Sequence, residues 1–190
     1  MNCFYHHYYF GQLEDKVFQD ITTILEKYNE FKPAGIESGN QNGERQQPHK
    51  NPALRQSDLC WVNEEKMYDL IFPLMSHANK YCEWNFDLSG IEWLQYTKYE
   101  VGQFYNWHLD EQYWPKQFRT DTIRKLSFTL LLNDEFEGGE FEMLTQGVET
   151  IPLIKGSMIV FHSDQPHRVC PVTSGTRKSL VGWMQGPPWK

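Results

Sequence analysis

The stretch Arg177-Lys178-Ser179-Leu180-Val181-Gly182-Trp183 has the alternation of a β-strand, and we place a strand over residues 177–185. Side chains two residues apart point to the same side of a strand, so Arg177, Ser179 and Val181 share a face with Trp183. Strand-like segments separated by glycine-containing breaks precede it along the chain. They cover residues 91–99, 103–109, 125–133, 139–144, 148–152, 157–162 and 167–171.

The amino-terminal part of the chain has helical periodicity instead. Apolar residues recur at helical spacing over residues 15–30, with Asp15 as a candidate cap. A second helix is predicted to start at Asn63-Glu64-Glu65, and Pro73 is expected to kink or divide it. Helices followed by about eight short strands predict an α+β protein whose core is a double-stranded β-helix, a jelly-roll of the cupin-like kind.

The chain length of 190 residues fits one domain, 1–190. We expect residues 1–90 to supply helical support and a flap, and residues 91–186 to form the jelly-roll core. Residues 32–58 are rich in glycine, proline and polar side chains, which is typical of a loop. This segment is either a surface insertion or part of a mobile flap, residues 32–62, over the active site.

Composition limits the possible partners and the location. The net charge of −7 argues against a nucleic-acid partner, which requires clustered Lys and Arg. The four cysteines show no paired spacing, so reduced thiols are expected rather than a disulfide framework or a zinc site. No amino-terminal leader pattern or long apolar run is visible, so we expect a cytoplasmic protein without a membrane partner.

The motif His108-Leu109-Asp110 predicts a metal site. On a strand, residues i and i+2 face the same way, so His108 and Asp110 can bind one ion. His167 lies far enough along the chain to come from the opposite sheet. Two imidazoles and one carboxylate are the ligands of non-haem Fe(II) oxygenases, which keep coordination positions open for a co-substrate and dioxygen.

A second H-x-D motif, His162-Ser163-Asp164, competes with the first. It has no distant histidine downstream to complete a triad, so we interpret His162 as a core or rim residue. The remaining histidines are expected at the surface; they are His6, His7, His49 and His77.

Arg177 is the candidate anchor for an anionic co-substrate. An arginine that points into an apolar barrel requires an anion, and a carboxylate fits the guanidinium in a bidentate manner. Ser179, on the same face, offers a hydroxyl donor to the same carboxylate. The alternative interpretation of Arg177 is a surface arginine in an ion pair.

The second half of the chain resembles the prolyl 4-hydroxylase branch of the Fe(II)/2-oxoglutarate dioxygenases, and is similar in detail to bacterial PKHD-type hydroxylases. The resemblance covers residues 91–186 and rests on Tyr99, Trp107-His108-Leu109-Asp110, residues 124–129, Gly138-Gly139-Glu140, residues 166–177 and Gly182-Trp183-Met184-Gln185.

The resemblance implies a role for each of these groups. His108, Asp110 and His167 would hold Fe(II), and Arg177 would bind the distal carboxylate of 2-oxoglutarate. Dioxygen would be the second co-substrate, and ascorbate an additional cofactor. Tyr99 matches a tyrosine that contacts 2-oxoglutarate. The implied substrate residues are Arg124 and Trp183, near the target proline, and Arg55 and Trp61, on a flap strand.

One position departs from the animal members of the family. They have a tyrosine where this chain has Leu131, which cannot donate a hydrogen bond to the co-substrate. Thr129, on the same strand face, is the candidate replacement.

The implied reaction is the hydroxylation of prolyl residues in a peptide or protein, with release of succinate and CO2. Three alternatives are a hydroxylase of a free amino acid or small metabolite, a non-catalytic metal-binding jelly-roll protein, and a nucleic-acid demethylase. The last would carry a second arginine where this chain has Trp183.

Overall fold

The structure is a computed structural model that describes residues 3–4, 6–35, 50–111 and 121–189. These residues contain two helices, α1 (Asp15–Leu25) and α2 (Glu65–Tyr81). The strands of the amino-terminal half are β1 (His7–Gln12), β2 (Lys32–Pro33), β3 (Arg55–Gln56), β4 (Asp58–Val62), β5 (Gly90–Ile91) and β6 (Leu94–Tyr99). The later strands are β7 (Phe104–His108), β8 (Ile123–Leu131), β9 (Phe136–Gly138), β10 (Phe141–Leu144), β11 (Val148–Ile151), β12 (Ser157–His162), β13 (His167–Val169), β14 (Val172–Gly175) and β15 (Arg177–Gly186).

Two antiparallel sheets form the body of the protein. The larger sheet has the strand order β1-β12-β8-β15-β6-β4-β2, with β5 also paired to β15. The smaller sheet has the order β11-β10-β13-β7-β3, and a further pair joins β14 to β9. This architecture confirms the predicted jelly-roll sandwich with supporting helices.

Two apolar clusters hold the layers together. The first joins the helices to the larger sheet, and Ile71 and Met75 of α2 are fully buried in it together with Phe128 and Leu130 of β8. The second cluster includes Tyr99, Phe141, Ile159 and Phe161, and fills part of the sandwich interior. Odd- and even-numbered residues of β8 therefore lie on opposite faces of the larger sheet, since Ser127 and Thr129 point away from the helices.

The amino-terminal half contributes more strands than the sequence suggested. β1 forms the edge of the larger sheet against β12, with a bulge between Tyr9 and Gly11. β4 pairs along its whole length with β6. The chain passes from the smaller sheet in β3 to the larger sheet in β4 within residues 55–62. Residues 36–49, nearly half of the predicted flap 32–62, lie outside the described residues.

Details of both helices differ from the sequence prediction. Asp15 is the first helical residue rather than the cap, and Glu14 at the cap position makes no side-chain capping bond. α1 ends at Leu25, earlier than predicted. Pro73 does not divide α2, which is continuous from Glu65 to Tyr81. The missing proline N–H is tolerated because Pro73 is exposed and the apolar face of the helix is anchored by packing.

The prediction that all four cysteines are reduced is wrong. A disulfide joins Cys3 to Cys82, across 79 residues of chain, while Cys60 and Cys170 are free. The link fastens the segment before β1 to the end of α2, a juxtaposition that no local spacing could reveal. Disulfides are typical of oxidising compartments, so this bond does not support the predicted cytoplasmic location. Within the described residues, no helix is long and apolar enough to cross a membrane.

Candidate active site

Three side chains meet at one end of the smaller sheet. His108 ends β7, His167 begins β13, and the two residues are direct register partners across these strands. Nε2 of His108 lies 3.7 Å from Oδ1 of Asp110, and Nε2 of His167 lies 3.6 Å from Oδ2 of the same carboxylate. The three side chains are only 9%, 6% and 7% exposed, in the order His108, His167, Asp110.

Both imidazoles are fixed in the same tautomer. Nδ1 of His108 is 2.8 Å from the carbonyl oxygen of Asn106, and Nδ1 of His167 is 2.9 Å from that of Gln165. A carbonyl only accepts hydrogen bonds, so each Nδ1 carries the proton and each Nε2 presents a lone pair. Such outer hydrogen bonds are typical of metal-binding histidines.

The donor set fits a divalent iron ion. Two donors that each lie about 2.1 Å from one ion are no more than about 4.2 Å apart. Both imidazole–carboxylate separations meet this condition, and the three ligand atoms all lie within 4.8 Å of one another. Oδ2 of Asp110 is buried and has no hydrogen-bond partner, which leaves a carboxylate oxygen available to a cation. Among the described residues, these three form the one cluster able to hold a metal ion.

The electrostatics around His108 and Asp110 favour the unprotonated form of these two side chains. Burial, with a smaller contribution from His167, lowers the pKa of His108 to about 3. Burial alone would raise the pKa of Asp110, but the two imidazoles and Arg124 together lower it. At neutral pH His108 is therefore neutral and Asp110 is charged, the states that metal binding requires.

Two details of the predicted triad are wrong. Asp110 does not share a strand with His108, because β7 ends at His108 and Asp110 lies in the turn that follows. The backbone N–H of Asp110 donates to the carbonyl of Ser163, which holds this turn in place. His167 comes from the adjacent strand of the same sheet rather than from the opposite sheet.

Arg177 lies in the larger sheet, fully inside the protein. It is 1% exposed, and Nη1 donates to Oγ of Ser179 at 3.1 Å. Its guanidinium carbon is 5.6 Å from the centre of the Tyr99 ring, its register partner on β6. No carboxylate of the described residues pairs with it, and Nε has no hydrogen-bond partner. Although burial lowers its pKa, an arginine stays charged, so this site requires an anion.

A cavity of about 1000 Å³ connects the triad to the surface. Its walls include the predicted co-substrate residues Tyr99, Thr129 and Ser179. Thr129 is buried. Leu131, two residues further along β8, is also buried and has no hydrogen-bonding group in its side chain. Arg177 itself is not among the lining residues, but its hydrogen-bond partner Ser179 is. The rest of the wall combines polar and charged side chains with apolar ones.

The mouth of the cavity contains an ordered ion pair. Arg124 donates to both carboxylate oxygens of Glu92, at 2.7 and 2.6 Å, and its guanidinium lies 3.8 Å from the centre of the Trp183 ring. A third bond, 3.2 Å long, joins Arg124 to the carbonyl of Asp110. Gln185 also donates to Glu92. The sequence did not suggest Glu92, since a lone carboxylate near a strand start carries no signal.

Arg55 and Trp61 occupy different positions relative to the cavity. Both are among its lining residues, but Arg55 is 9% exposed whereas Trp61 is 45% exposed. Trp61 belongs to β4 of the larger sheet, and Arg55 belongs to β3 of the smaller one. The guanidinium of Arg55 donates hydrogen bonds to the side chains of Ser57 and Gln95.

The other histidines lie apart from the triad. His162 sits between Trp84 and Phe86, with ring centroids at 4.6 and 4.9 Å, which is a core environment. His77 is exposed on α2, while His49 lies outside the described residues. The prediction that His7 lies at the surface is wrong, because its side chain is only 3% exposed under the edge of the larger sheet.

A jelly-roll sandwich with two histidines and one carboxylate at its open end defines a class, the non-haem iron oxygenases. Comparison with known sequences specifies the family. The family model of the 2OG-Fe(II) oxygenase superfamily matches residues 94–185. The matched segment is just under half of the chain, carries the triad and Arg177, and supports a 2OG-Fe(II) oxygenase.

Similar sequences indicate which type of oxygenase the chain resembles. A PKHD-type hydroxylase of Synechococcus sp. (strain CC9902) is 41% identical over 92 residues, which are 47% of this chain and 39% of the relative. A PKHD-type hydroxylase of Hyphomonas neptunium is 42% identical over 90 residues, 44% of this chain and 38% of that protein. The similarity thus spans about two fifths of the length of these relatives.

Solved structures share the fold across nearly the whole chain. A Pseudomonas putida prolyl-4-hydroxylase superimposes with a TM-score of 0.70 at 21% identity, covering 96% of this chain and 94% of that one. The viral collagen prolyl hydroxylase of Paramecium bursaria Chlorella virus-1, solved with 2OG, gives a TM-score of 0.69 at 18% identity, with 95% and 96% coverage. At this identity the likeness concerns the fold.

Proposed function

We propose that this protein is an Fe(II)- and 2-oxoglutarate-dependent hydroxylase that acts on prolyl residues of a peptide or protein. The observation that carries the proposal is the pairing of a buried His108-Asp110-His167 cluster with a buried Arg177 that has no carboxylate partner among the described residues. A metal site alone fits many proteins. An additional internal cation fits an enzyme that binds a dicarboxylate next to the metal.

Different residues would bind the metal and the co-substrate. His108, Asp110 and His167 would hold Fe(II), and Arg177 with Ser179 would receive the distal carboxylate of 2-oxoglutarate by charge-assisted hydrogen bonds. Tyr99 and Thr129 would line the co-substrate. When bound, the iron supplies the chemistry that splits dioxygen between succinate and a hydroxylated C–H bond, with loss of CO2. Polar side chains of the cavity wall, such as Thr129 and Ser179, would orient the co-substrate, and apolar ones, such as Phe141 and Phe161, would exclude water.

The mouth of the cavity supports the choice of a prolyl substrate. Trp183 lines the cavity with its ring stacked against the guanidinium of Arg124, and Arg124 in turn lies close to Asp110. Proline within a chain presents a rigid apolar ring and a carbonyl acceptor, and it has no N–H that would remain unpaired. The name of one structural neighbour, a Trichoplax adhaerens prolyl hydroxylase in complex with a hypoxia-inducible factor peptide, is consistent with such a substrate.

Ascorbate is proposed as an additional cofactor on the strength of the family resemblance. Its contribution is tested by its omission from the assay.

A peptide panel tests the proposal. Purified protein with Fe(II), 2-oxoglutarate and dioxygen should release succinate faster when prolyl peptides are added, and mass spectrometry should find one added oxygen on the proline. Alanine-for-proline versions of the same peptides are the matched control. Modification of free proline or another small metabolite, with every prolyl peptide inert, would replace this substrate with the small-molecule alternative.

A further inference from the structure

The ring of Tyr105 lies flat against the imidazole of His108. Their centroids are 3.4 Å apart and the planes differ by 7°. No equivalent contact exists for His167 among the described residues: Phe161 meets it edge-on at 4.7 Å and 65°, and Phe141 is tilted at 5.5 Å and 40°. The two histidines of the cluster are thus supported in different ways.

A β-bulge creates this contact. Residues three apart on a regular strand point to opposite faces, so Tyr105 and His108 should not meet. On the facing strand, however, His167 pairs with His108 and Val169 pairs with Tyr105, so two residues of β7 oppose the single residue Arg168. The extra residue turns Tyr105 onto the face of His108. Bulges next to active sites commonly redirect a side chain in this way.

Arg55 covers the other side of the Tyr105 ring. Its guanidinium carbon is 4.6 Å from the ring centre. His108 occupies one face of the ring at 3.4 Å, so the guanidinium must lie on the opposite face. Arg55 is fixed there by bonds to Oγ of Ser57, at 2.8 Å, and Oε1 of Gln95, at 3.2 Å. Since Gln95 belongs to β6, this arginine connects the two sheets of the sandwich.

We infer that Tyr105, clamped by Arg55, is a positioning residue that holds the ring plane of His108 in the orientation needed for metal binding. The bond from Nδ1 to Asn106 fixes one atom of the imidazole but leaves the ring free to rock about it. The stack on Tyr105 removes that freedom. Arg55 acts through Tyr105 rather than on the substrate. This inference rests on the proposed metal site, and its test separates the two.

The test compares Tyr105→Leu with Tyr105→Phe in the full chain. Phenylalanine keeps the stack, whereas leucine keeps apolar bulk without a flat ring. Binding of Co(II), used as the probe ion, should weaken roughly 10-fold or more in Tyr105→Leu, since loss of an outer-shell support costs about 10- to 100-fold. Tyr105→Phe should bind like the wild type. Phe104→Leu, at the neighbouring position of β7 outside the cavity wall, is the matched control and should also bind like the wild type.

The second readout needs no metal. Carbon-13 relaxation NMR of the histidine rings reports the mobility of each imidazole, and His167 serves as the internal reference. In Tyr105→Leu the His108 ring should become more mobile while the His167 ring stays unchanged. Arg55→Met, which leaves Tyr105 in place, should change His108 in the same direction, so the test survives if Tyr105→Leu fails to fold.

The outcomes are distinct. Unchanged Co(II) affinity in Tyr105→Leu, equal changes at both histidines, or a Tyr105→Phe variant as weak as Tyr105→Leu would each overturn the positioning role. Failure of the wild type to bind Co(II) would instead count against the proposed function, while the metal-free NMR comparison would still decide the role of the stack.

Discussion

The aliphatic part of Arg177 occupies the space that a side chain at Gly139 would need. A Cβ atom at Gly139 would lie 2.8 Å from Cδ of Arg177, closer than such atoms approach, and Gly139 also has a positive φ of +64°. Gly139, between β9 and β10, therefore leaves room for the side chain of Arg177. A backbone position between β9 and β10 thus sets the position of this buried cation.

Gly139→Ala should consequently weaken 2-oxoglutarate binding, by at least about 10-fold if the displaced arginine loses 1.4 kcal/mol of its interaction. The matched control is Gly11→Ala, which has nearly the same φ, +69°, but no atom within 4 Å of its Cβ. Both variants should lose stability, on the order of 1–3 kcal/mol, from backbone strain. Calorimetric titration with 2-oxoglutarate should distinguish them, and equal affinities would show that the contact with Arg177 is unimportant.

Arg177→Ala should reduce the affinity for 2-oxoglutarate far more than the affinity for iron. Truncating one member of a buried, charge-assisted pair costs roughly 2–5 kcal/mol, or on the order of 30- to several-thousand-fold in Kd. Lys178→Ala removes a charge from the next position of the same strand and should change neither affinity. An unchanged Kd for 2-oxoglutarate in Arg177→Ala would show that Arg177 does not bind the co-substrate.

His162 should make the metal-free protein less stable in acid. Burial lowers the pKa of its ring to about 4, against an ordinary value of 6.5. Between about pH 6.5 and pH 4 the ring of His162 is protonated in the unfolded chain but not in the folded protein. The free energy of unfolding therefore falls as pH falls. His108, with a lowered pKa of about 3, acts with the same sign.

His162→Phe should therefore make this dependence less steep, because it removes one of the contributing groups while keeping an aromatic ring between Trp84 and Phe86. Urea unfolding at a series of pH values measures the slope. Parallel curves for the variant and the wild type would mean that His162 is protonated equally in both states.

The Cys3–Cys82 disulfide gives a direct chemical expectation. A thiol reagent applied to the unfolded, unreduced protein should label two of the four cysteines, Cys60 and Cys170, and all four after reduction. Cys82→Ser should lower the free energy of unfolding by about 2–4 kcal/mol, since the bond constrains the unfolded chain. Cys60→Ser is the control that keeps the bond. Four reactive thiols before reduction would restore the original prediction from the sequence.

The sequence predicted the sandwich because its strand-like runs are short and separated by glycines. Residues 157–162 were placed correctly. Ser179, Val181 and Trp183, which were assigned to one face of their strand with Arg177, all line the cavity. β1 was missed because its run of aromatic residues has neither strand alternation nor a clear turn before it. Its pairing with β12 is a contact distant in sequence.

The candidate site was predictable in its residue types but not in its geometry. The H-x-D spacing indicates two ligands on one strand face, yet Asp110 reaches the cluster from a turn. Tyr105 could not be found from the sequence, because its contact with His108 depends on a bulge that becomes visible only in the pairing of β7 with β13. Partners such as Glu92 depend on folding in the same way.

The central claim is that His108, Asp110 and His167 hold the iron to which 2-oxoglutarate binds. Its most direct test is the visible charge-transfer band that appears when Fe(II) and 2-oxoglutarate bind together in the absence of dioxygen. We predict this band for the wild type and for His162→Ala, which belongs to the competing H-x-D motif, and its loss in His167→Ala. A band that persists in His167→Ala, or that disappears in His162→Ala while the protein remains folded, would contradict the assignment.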